Sequence, residues 1–472
     1  MVLLFVSLIS FSIYIIIYPL PLEITESSIW LQILIMKSNI NPYNLENGVF
    51  ITQSHGLIDF EIKKILSQLF NFKFYNLIRL PNLLIFLVLL LQIIKKNKII
   101  YTSYYYIFFC FFIILYCKNF QSRSDFTASL FFLMSLFFIN KKDDAIVNLN
   151  SVLFIFLNCL TVLCNYKFVY LSTSIYLLKI LCLEKNDVRK ISLKIILPVI
   201  IFLSFFLMII SYKNITLSEL YFYHFEIFGF EKNNFSEFVE ELKVSGLKII
   251  ILFSIYIIIF INLLKIKKFN NLAKSLYIFV FLLSFFTYYL NYKGGGIYYF
   301  LPVILYMYSN LYIFDLYIVL KEKKNLILPI IFIFFSIFTL KYIYTNYYFL
   351  LSDYKSIKLI NKFLNDNYLD IYSTNIHHYK KKFSYETFDR FDLSYNTLVT
   401  NKEKQKIINN HRMITGPRSI DISNQFKKFK YLLLTKHDLF LKKKIINYYD
   451  LKKKYDSRTS NIFPIYIFER KY

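Results

Sequence analysis

The chain has 472 residues, of which 57% are hydrophobic, including 53 Phe and 42 Tyr. This composition excludes an ordinary soluble domain, because the apolar residues form runs near the ~20 residues of helix that cross a bilayer. The formal charge of +26 does not indicate a nucleic-acid-binding module, since the basic residues lie in short clusters between these runs and along residues 346–472.

The apolar runs predict an all-α polytopic membrane bundle of about eleven transmembrane helices, because backbone polar groups in lipid must be satisfied within their own segment. The first run lacks a basic n-region and a small-residue cleavage site, so we expect a helix there rather than a signal peptide. The predicted spans are 2–20, 79–94, 99–117, 125–140, 146–164, 168–184, 192–211, 247–264, 275–291, 297–319 and 326–345.

The loops between these spans differ in charge. Alternate loops carry fifteen Lys/Arg on one side and four in the short loops on the other. The positive-inside rule makes the first set cytoplasmic. We therefore expect a multi-pass protein of the inner or plasma membrane, with a cytoplasmic N-terminus and an exterior C-terminus. The large polar segments 21–78, 212–246 and 346–472 fall outside, and they hold all six histidines.

The first exterior segment predicts two helices in the membrane interface. Glu23 and Glu26 follow the first span, and an amphipathic stretch with Trp30 as an interfacial anchor comes next. A second interfacial stretch, Leu57–Phe70, places acids and lysines among aliphatic residues. Glu26 also suits the first turn of the amphipathic helix, where a carboxylate favours the helix dipole.

The C-terminal segment predicts a small exterior α/β domain over 346–472, separate from the transmembrane module 1–345. Its elements are a helix at Asp353–Leu364 and short strands at Leu369–Tyr372, Tyr431–Leu434 and Phe463–Phe468. The five cysteines lie in apolar runs, which predicts buried thiols rather than disulfides or metal ligands. His377-His378 does not have the spacing of a metal site.

Several motifs share one order along the chain. Glu26, beside Thr25, precedes Asn39-Ile40-Asn41-Pro42-Tyr43 and then His55-Gly56-Leu57. Arg79 opens the next span. Ser122-Arg123-Ser124-Asp125 and Lys293-Gly294-Gly295-Gly296, which continues to Pro302, follow at later exterior helix starts.

This arrangement resembles the GT-C superfamily of polyprenyl-phosphate-sugar-dependent glycosyltransferases, in particular the branch of protein O-mannosyltransferases and lipid A aminoarabinose transferases. The chain departs from the family pattern at Thr25, Asn39 and Gly56, where the family has an acid, a glycine and a proline. The resemblance covers residues 1–320, with motif content in about forty of them.

The resemblance implies an inverting transfer of a hexose or pentose from a polyprenyl phosphate to a lipid, glycan or protein acceptor at the exterior face. Glu26 would be the catalytic base, with Glu23 in reserve. The residues that would bind donor and phosphate are Arg79, Arg123, Lys293, His55 and Tyr43. No cofactor is expected, and a role for a divalent metal stays open. Lipid is the other expected partner, and nucleic acid is not one.

The chemistry explains these residue types. A base takes the acceptor's proton, and cations stabilise the departing phosphate. Each residue also has a structural interpretation: basic residues at helix ends reach the interface by snorkelling, Asp125 suits a helix cap, and Gly294–Gly296 suits a tight turn beside Lys293. The competing functions are a polysaccharide transporter or flippase and an O-antigen ligase or polymerase. A transporter usually carries ionisable residues near the bilayer midplane and repeated halves.

The predicted topology can be tested by cysteine labelling. Thr400→Cys should react with a membrane-impermeant maleimide in intact cells, because residues 346–472 are expected outside. Asn97→Cys, in a predicted cytoplasmic loop, should react only after permeabilisation. Protection of position 400 would invert the topology.

Overall fold

The computed structural model describes about half of the chain. The described ranges are 58–69, 78–95, 123–139, 149–180, 188–217, 235–266, 269–290, 297–314, 354–367, 370–373, 429–434, 445–456 and 464–471. Single positions are also described: 6, 10, 13, 16, 29, 33, 36, 56, 337, 340, 341 and 344.

The described part is mostly helical, with a small sheet near the C-terminus, as the composition predicts. The α-helices with described bounds are α1 (Asp59–Leu69), α2 (Leu80–Lys95), α3 (Ser124–Ser135), α4 (Leu149–Cys164), α5 (Val169–Leu178), α6 (Val188–Lys213), α7 (Phe235–Leu263), α8 (Asn271–Leu290), α9 (Leu301–Phe314) and α10 (Tyr354–Asp366). Short 3-10 turns at Leu136–Phe138, Tyr166–Phe168 and Ile297–Phe300 adjoin α3, α5 and α9.

Polar contacts between helix ends define the relative directions of α2, α3 and α4. Gln92, near the end of α2, donates a hydrogen bond of 2.6 Å to the carbonyl of Leu133 near the end of α3, so α2 and α3 run the same way. Asn165, just after α4, donates to Ser124 at the start of α3 at 2.9 Å, so α4 runs the opposite way. A parallel α2–α3 pair is what an intervening span at 99–117 requires; that span lies outside the described residues.

The later helices continue the alternation. Lys179, after α5, bonds Ser151 at the start of α4 (3.2 Å), and the hydroxyls of Tyr170 and Ser284 lie 2.8 Å apart, which makes α5 antiparallel to α4 and to α8. The starts of α2, α3 and α5 and the ends of α4 and α8 therefore share one end of the bundle. We call this the Asp125 end.

Some helices expose long apolar surfaces. Two described helices are long and apolar enough to cross a membrane, at Ile196–Lys213 and Asn271–Tyr289, and the described part also contains five shorter apolar helices. On α7 the exposed side chains follow one face, at Ile250, Phe253 and Ile257. Such a stripe is unusual on a soluble surface and suits contact with lipid. The full set of eleven spans stays a prediction.

The predicted loop 212–246 needs a correction, because α7 begins at Phe235 and not at 247. Its first turns contain several glutamates, which made this stretch resemble a loop. Acids are favourable at the positive end of a helix dipole, and Phe238 anchors the turn by packing its buried ring 4.9 Å from that of Tyr289. The helix therefore extends about three turns beyond the apolar run.

Asn214 ends α6. Among the described residues other than glycine, it is the one with a positive φ, of 50°. Its N–H bonds the carbonyl of Ser211, and the N–H of Ile215 bonds that of Ile210, both at 3.1 Å. This is a Schellman C-cap, in which asparagine can replace glycine.

Only single positions represent three other predicted helices. Val6, Ser10, Ile13 and Ile16 in the first predicted span are helical, as are positions 337, 340, 341 and 344 in the last one. In the predicted amphipathic helix, Ile29, Ile33 and Met36 are helical and buried, which agrees with one apolar face at helical spacing.

The C-terminal region folds as α10 beside a four-stranded sheet. The strands are β1 (Ile371–Ser373), β2 (Tyr431–Leu434), β3 (Tyr449–Tyr455) and β4 (Ile465–Arg470), in the order β1-β2-β4-β3. β1 and β2 are parallel, and the other two pairs are antiparallel. The predicted helix and three predicted strands are present; β3 was not predicted.

The strands bury alternate residues on two faces. Leu433 and Ile467 belong to the apolar cluster that also contains α10, where Phe363 packs against Tyr431 with ring centroids 5.1 Å apart. Leu432 and Phe468 belong to a second cluster on the opposite face. Successive side chains point to opposite faces of a strand, and here both faces are covered. This is why β2 and β4 appear in the sequence as nearly continuous apolar runs.

The sheet gives a matched stability prediction. Leu433→Ala should lower the free energy of unfolding by about 2–5 kcal/mol, because the side chain is fully buried in a central strand. Leu451→Ala, at an edge-strand position with a 47% exposed side chain, should change it by less than about 0.5 kcal/mol. Thermal unfolding of detergent-purified protein measures both, and equal losses would contradict the observed layers.

Candidate functional site

A group of polar side chains meets at the Asp125 end of the bundle, and Asp125 is its centre. The Asp125 side chain is only 3% exposed; Arg123 Nε lies 3.3 Å from Oδ2, and Lys167 Nζ pairs with Oδ1. Asn165 Nδ2 donates to the same Oδ1 at 3.1 Å and to Ser124 Oγ at 2.9 Å. We call these five residues the Asp125 cluster.

Local sequence explains how the cluster forms. Arg123 is the N-cap residue of α3 with extended backbone, and Asp125 stands in the first turn, where the helix dipole favours a carboxylate. Asn165 caps the 3-10 turn after α4 by accepting a hydrogen bond from the Lys167 N–H at 3.2 Å. That turn directs Lys167 back toward α3. Two chain segments, the start of α3 and the turn after α4, thus compensate one nearly buried charge.

The 3-10 turn Ile297–Phe300, which follows the glycine-rich element in the sequence, also contacts the cluster. Lys167 Nζ lies 5.0 Å from the ring centroid of Tyr299, which belongs to the 3-10 turn that leads into α9. The same Nζ lies 5.8 Å from the ring centroid of Phe168. Aromatic faces attract an ammonium group, so Tyr299 helps to hold Lys167 in place. Arg123 and Lys167 side chains remain 21% and 13% exposed. The cluster therefore combines two cationic side chains and one carboxylate at a partly open position.

A second charged pair lies beside the cluster, on α1. Asp59 Oδ2 and Lys63 Nζ are 2.5 Å apart, and neither side chain is exposed. Burial raises the pKa of Asp59, and the nearby Asp125 charge adds to this, whereas Lys63 and Thr127 oppose it. The pair lies near the cluster because the N–H of Ile58, just before Asp59, bonds the carbonyl of Leu163, two residues before Asn165, at 3.4 Å.

Helix α1 is oriented with its polar face inward. Its buried residues are Asp59, Phe60, Lys63 and Ser67, whereas Ile65 and Leu69 are 49% and 72% exposed. Such an inverted face suits a helix at a membrane interface, with aliphatic side chains toward lipid and charges toward protein. Glu61 adds an ion pair to Lys213 at the end of α6. Within the predicted stretch Leu57–Phe70, the described residues Asp59–Leu69 are helical, with this polar inner face as the new feature.

Backbone hydrogen bonds join the segment before α1 to the end of α4. The N–H of Gly56 donates to the Cys164 carbonyl at 2.8 Å, and that of Ile58 to the Leu163 carbonyl at 3.4 Å. The last carbonyls of a helix have no partner within the helix, and here both acceptor residues are fully buried. The first polar segment supplies the missing donors.

The structure places two of the predicted site residues. Arg123 lies in the Asp125 cluster, with its side chain 21% exposed. Arg79 precedes α2 at the same end of the bundle, and its side chain is fully buried. Glu26, Glu23, Tyr43, His55 and Lys293 lie outside the described residues.

Other members of the site were not predicted as binding residues. Lys167 falls in one of the short loops predicted outside, and Asp59 falls in the predicted interfacial stretch Leu57–Phe70. The i, i+4 spacing of Asp59 and Lys63 suggests an ordinary solvent-exposed helix pair, and no pattern in one sequence reveals that it is buried. Asn165 precedes a short polar turn, which is a weak signal for a cap.

Comparison with known proteins gives no relatives: no family model, curated protein or solved structure matches the chain. Within the described part, no group of three His, Cys, Asp or Glu side chains is arranged to hold a metal ion. The function is therefore inferred from the side chains of the site itself.

The central role of Asp125 is testable. Asp125→Asn keeps the side-chain shape but leaves Arg123 and Lys167 facing each other without their shared anion, so we expect unfolding free energy to fall by about 1–3 kcal/mol. Asp450→Asn is the control, because the Asp450 side chain is 75% exposed beside Lys471, and it should cost less than about 0.5 kcal/mol. A melting temperature for Asp125→Asn equal to that of Asp450→Asn would contradict the role.

Proposed function

We propose that the chain is an integral membrane glycosyltransferase that moves a sugar from a polyprenyl-phosphate donor to a lipid, glycan or protein acceptor at the exterior face of the membrane. The observation that carries the proposal is the Asp125 cluster, in which two cations share one nearly buried carboxylate. Its two cationic side chains, Arg123 and Lys167, complement an anionic leaving group held at the membrane surface.

The membrane setting is supported by the distribution of apolar residues. Exposed aliphatic and aromatic side chains follow α6, α7 and α8, and two of these helices have the length and composition of spans. A donor with a polyprenyl tail stays anchored in the bilayer, so its phosphate is confined to the interface. A cation cluster at one end of a helix bundle suits that depth.

The chemistry uses each part of the site differently. Displacement at the anomeric carbon releases the polyprenyl phosphate, whose negative charge Arg123 and Lys167 would stabilise by charge-assisted hydrogen bonds. Asp125 would hold these two cations in position before the donor binds, which reduces reorganisation during the reaction. The proton of the acceptor hydroxyl would pass to Glu26, with Glu23 as the second candidate, as the resemblance to the GT-C family implies.

The charge distribution favours this proposal over a transporter. In the described part of the chain, the buried charged side chains are those of Asp59, Lys63, Arg79, Asp125 and Lys179. The last three lie beside helix ends, and the first two lie on the interfacial helix α1. Ion-coupled transporters instead place such groups near the bilayer midplane. The described helices thus favour surface chemistry over a translocation path.

The decisive assay is sugar transfer from polyprenyl-phosphate donors in isolated membranes. Glu26→Gln should lower kcat by about 10²–10⁴-fold, the usual contribution of a general base, while Glu23→Gln retains most activity. The reverse result would assign Glu23 as the base. Wild-type activity in both variants would exclude both carboxylates, and no donor-dependent transfer with any sugar would favour a transporter.

A further inference from the structure

We propose that Gly56 is a positioning residue of this site, which fixes the point at which the first polar segment docks beside the Asp125 cluster. The inference rests on the proposed function, because that segment contains the candidate base. It does not assign Gly56 any contact with substrate.

The end of α4 leaves no space for a side chain at position 56. A Cβ added at Gly56 would lie 2.5 Å from the carbonyl carbon and 2.6 Å from the carbonyl oxygen of Cys164, and still closer to the carbonyl oxygen of Leu163. These are backbone atoms in a packed helix end, so they cannot rotate away as a flexible side chain can. Any other residue at position 56 must therefore move one chain segment away from the other.

Leu163 and Cys164 immediately precede Asn165 and Lys167, which hold Asp125 through side-chain contacts. One stretch of five residues thus binds the first polar segment through its backbone and the cation cluster through its side chains. As long as Gly56 stays docked, the covalent geometry of this stretch fixes the separation between the Gly56 backbone and the cation cluster.

After Gly56 the chain enters α1, whose Asp59 and Lys63 side chains are buried against the bundle and whose Glu61 pairs with Lys213. These contacts hold α1 at two further points. A displacement at position 56 would therefore be transmitted to a charged pair with no exposure to water, where small shifts are costly.

The chain offers a matched control for a glycine substitution. Gly246 lies within α7, and a Cβ there would meet no atom within 4 Å. Replacing glycine by alanine in a helix interior is itself mildly stabilising. Gly246→Ala therefore reports the general effect of the substitution, and Gly56→Ala adds the steric displacement.

The test measures kcat and donor KM for both variants in the same membranes. Gly56→Ala should lower kcat by about 100-fold, as a displacement of about 1 Å does in other enzymes, because the candidate base moves. Donor KM should stay within about threefold of wild type, since Arg123 and Lys167 belong to α3 and the α4–α5 turn. Gly246→Ala should match wild type in both constants. Wild-type kcat in Gly56→Ala, or an equal loss in Gly246→Ala, would overturn the proposal.

A second measurement covers the case in which Gly56→Ala accumulates poorly or the wild type transfers no sugar. Glu61→Cys and Lys213→Cys place thiols where the ion pair is, and a short bis-maleimide should join them in otherwise wild-type protein. Adding Gly56→Ala should slow this cross-linking several-fold, while adding Gly246→Ala should not. Unchanged cross-linking would overturn the docking role without reference to activity. Slowed cross-linking in a chain that transfers no sugar would support the docking and reject only the proposed function.

Discussion

The need to compensate the charge of Asp125 organises one end of this molecule. A carboxylate with 3% exposure is unstable unless cations and hydrogen-bond donors surround it. Here Arg123 comes from the same helix start, and Asn165 and Lys167 come from the turn after α4. The backbone of the first polar segment bonds the end of α4, immediately before that turn. The first polar segment, the start of α3 and the end of α4 therefore meet around one charge, although they are far apart in sequence. The same compensation brings two cations to one position, so packing and the proposed chemistry have a common origin.

Helix directions follow from these end contacts. Once Asn165 meets Ser124, α4 must run antiparallel to α3, and the hydroxyls of Tyr170 and Ser284 then set the direction of α8. At the opposite end, Gln92 bonds Leu133 and receives a hydrogen bond from Tyr308, so α2, α3 and α9 are tied together away from the charges. Buried polar groups of this kind specify which helices are neighbours, which apolar packing alone does less selectively.

Sequence patterns predicted the elements whose burial is one-sided or complete. Apolar runs gave the positions of α2 to α9, and continuous apolar stretches gave β2 and β4. They did not give the start of α7, where acids stabilise a helix that continues beyond its apolar part. They also missed β3, Tyr449–Tyr455, because its five inner positions are exposed and three of them are lysines. Lysine-rich edge strands resist unwanted pairing, and the same composition hides them from pattern analysis.

The site itself was predictable only to the level of which loops contribute. Loop charge suggested that Arg123 and Lys167 share one plane, but nothing in a single sequence pairs either with Asp125, since the contacts join residues more than forty positions apart or depend on a local turn. Gly56 illustrates the limit. Against the family pattern it appears as a departure, a glycine in place of a proline. In the fold a proline would lack the N–H that binds Cys164 and would add atoms where no Cβ fits. A glycine at this position is therefore matched to the packing of this chain, in which the backbone of Gly56 docks on the end of α4.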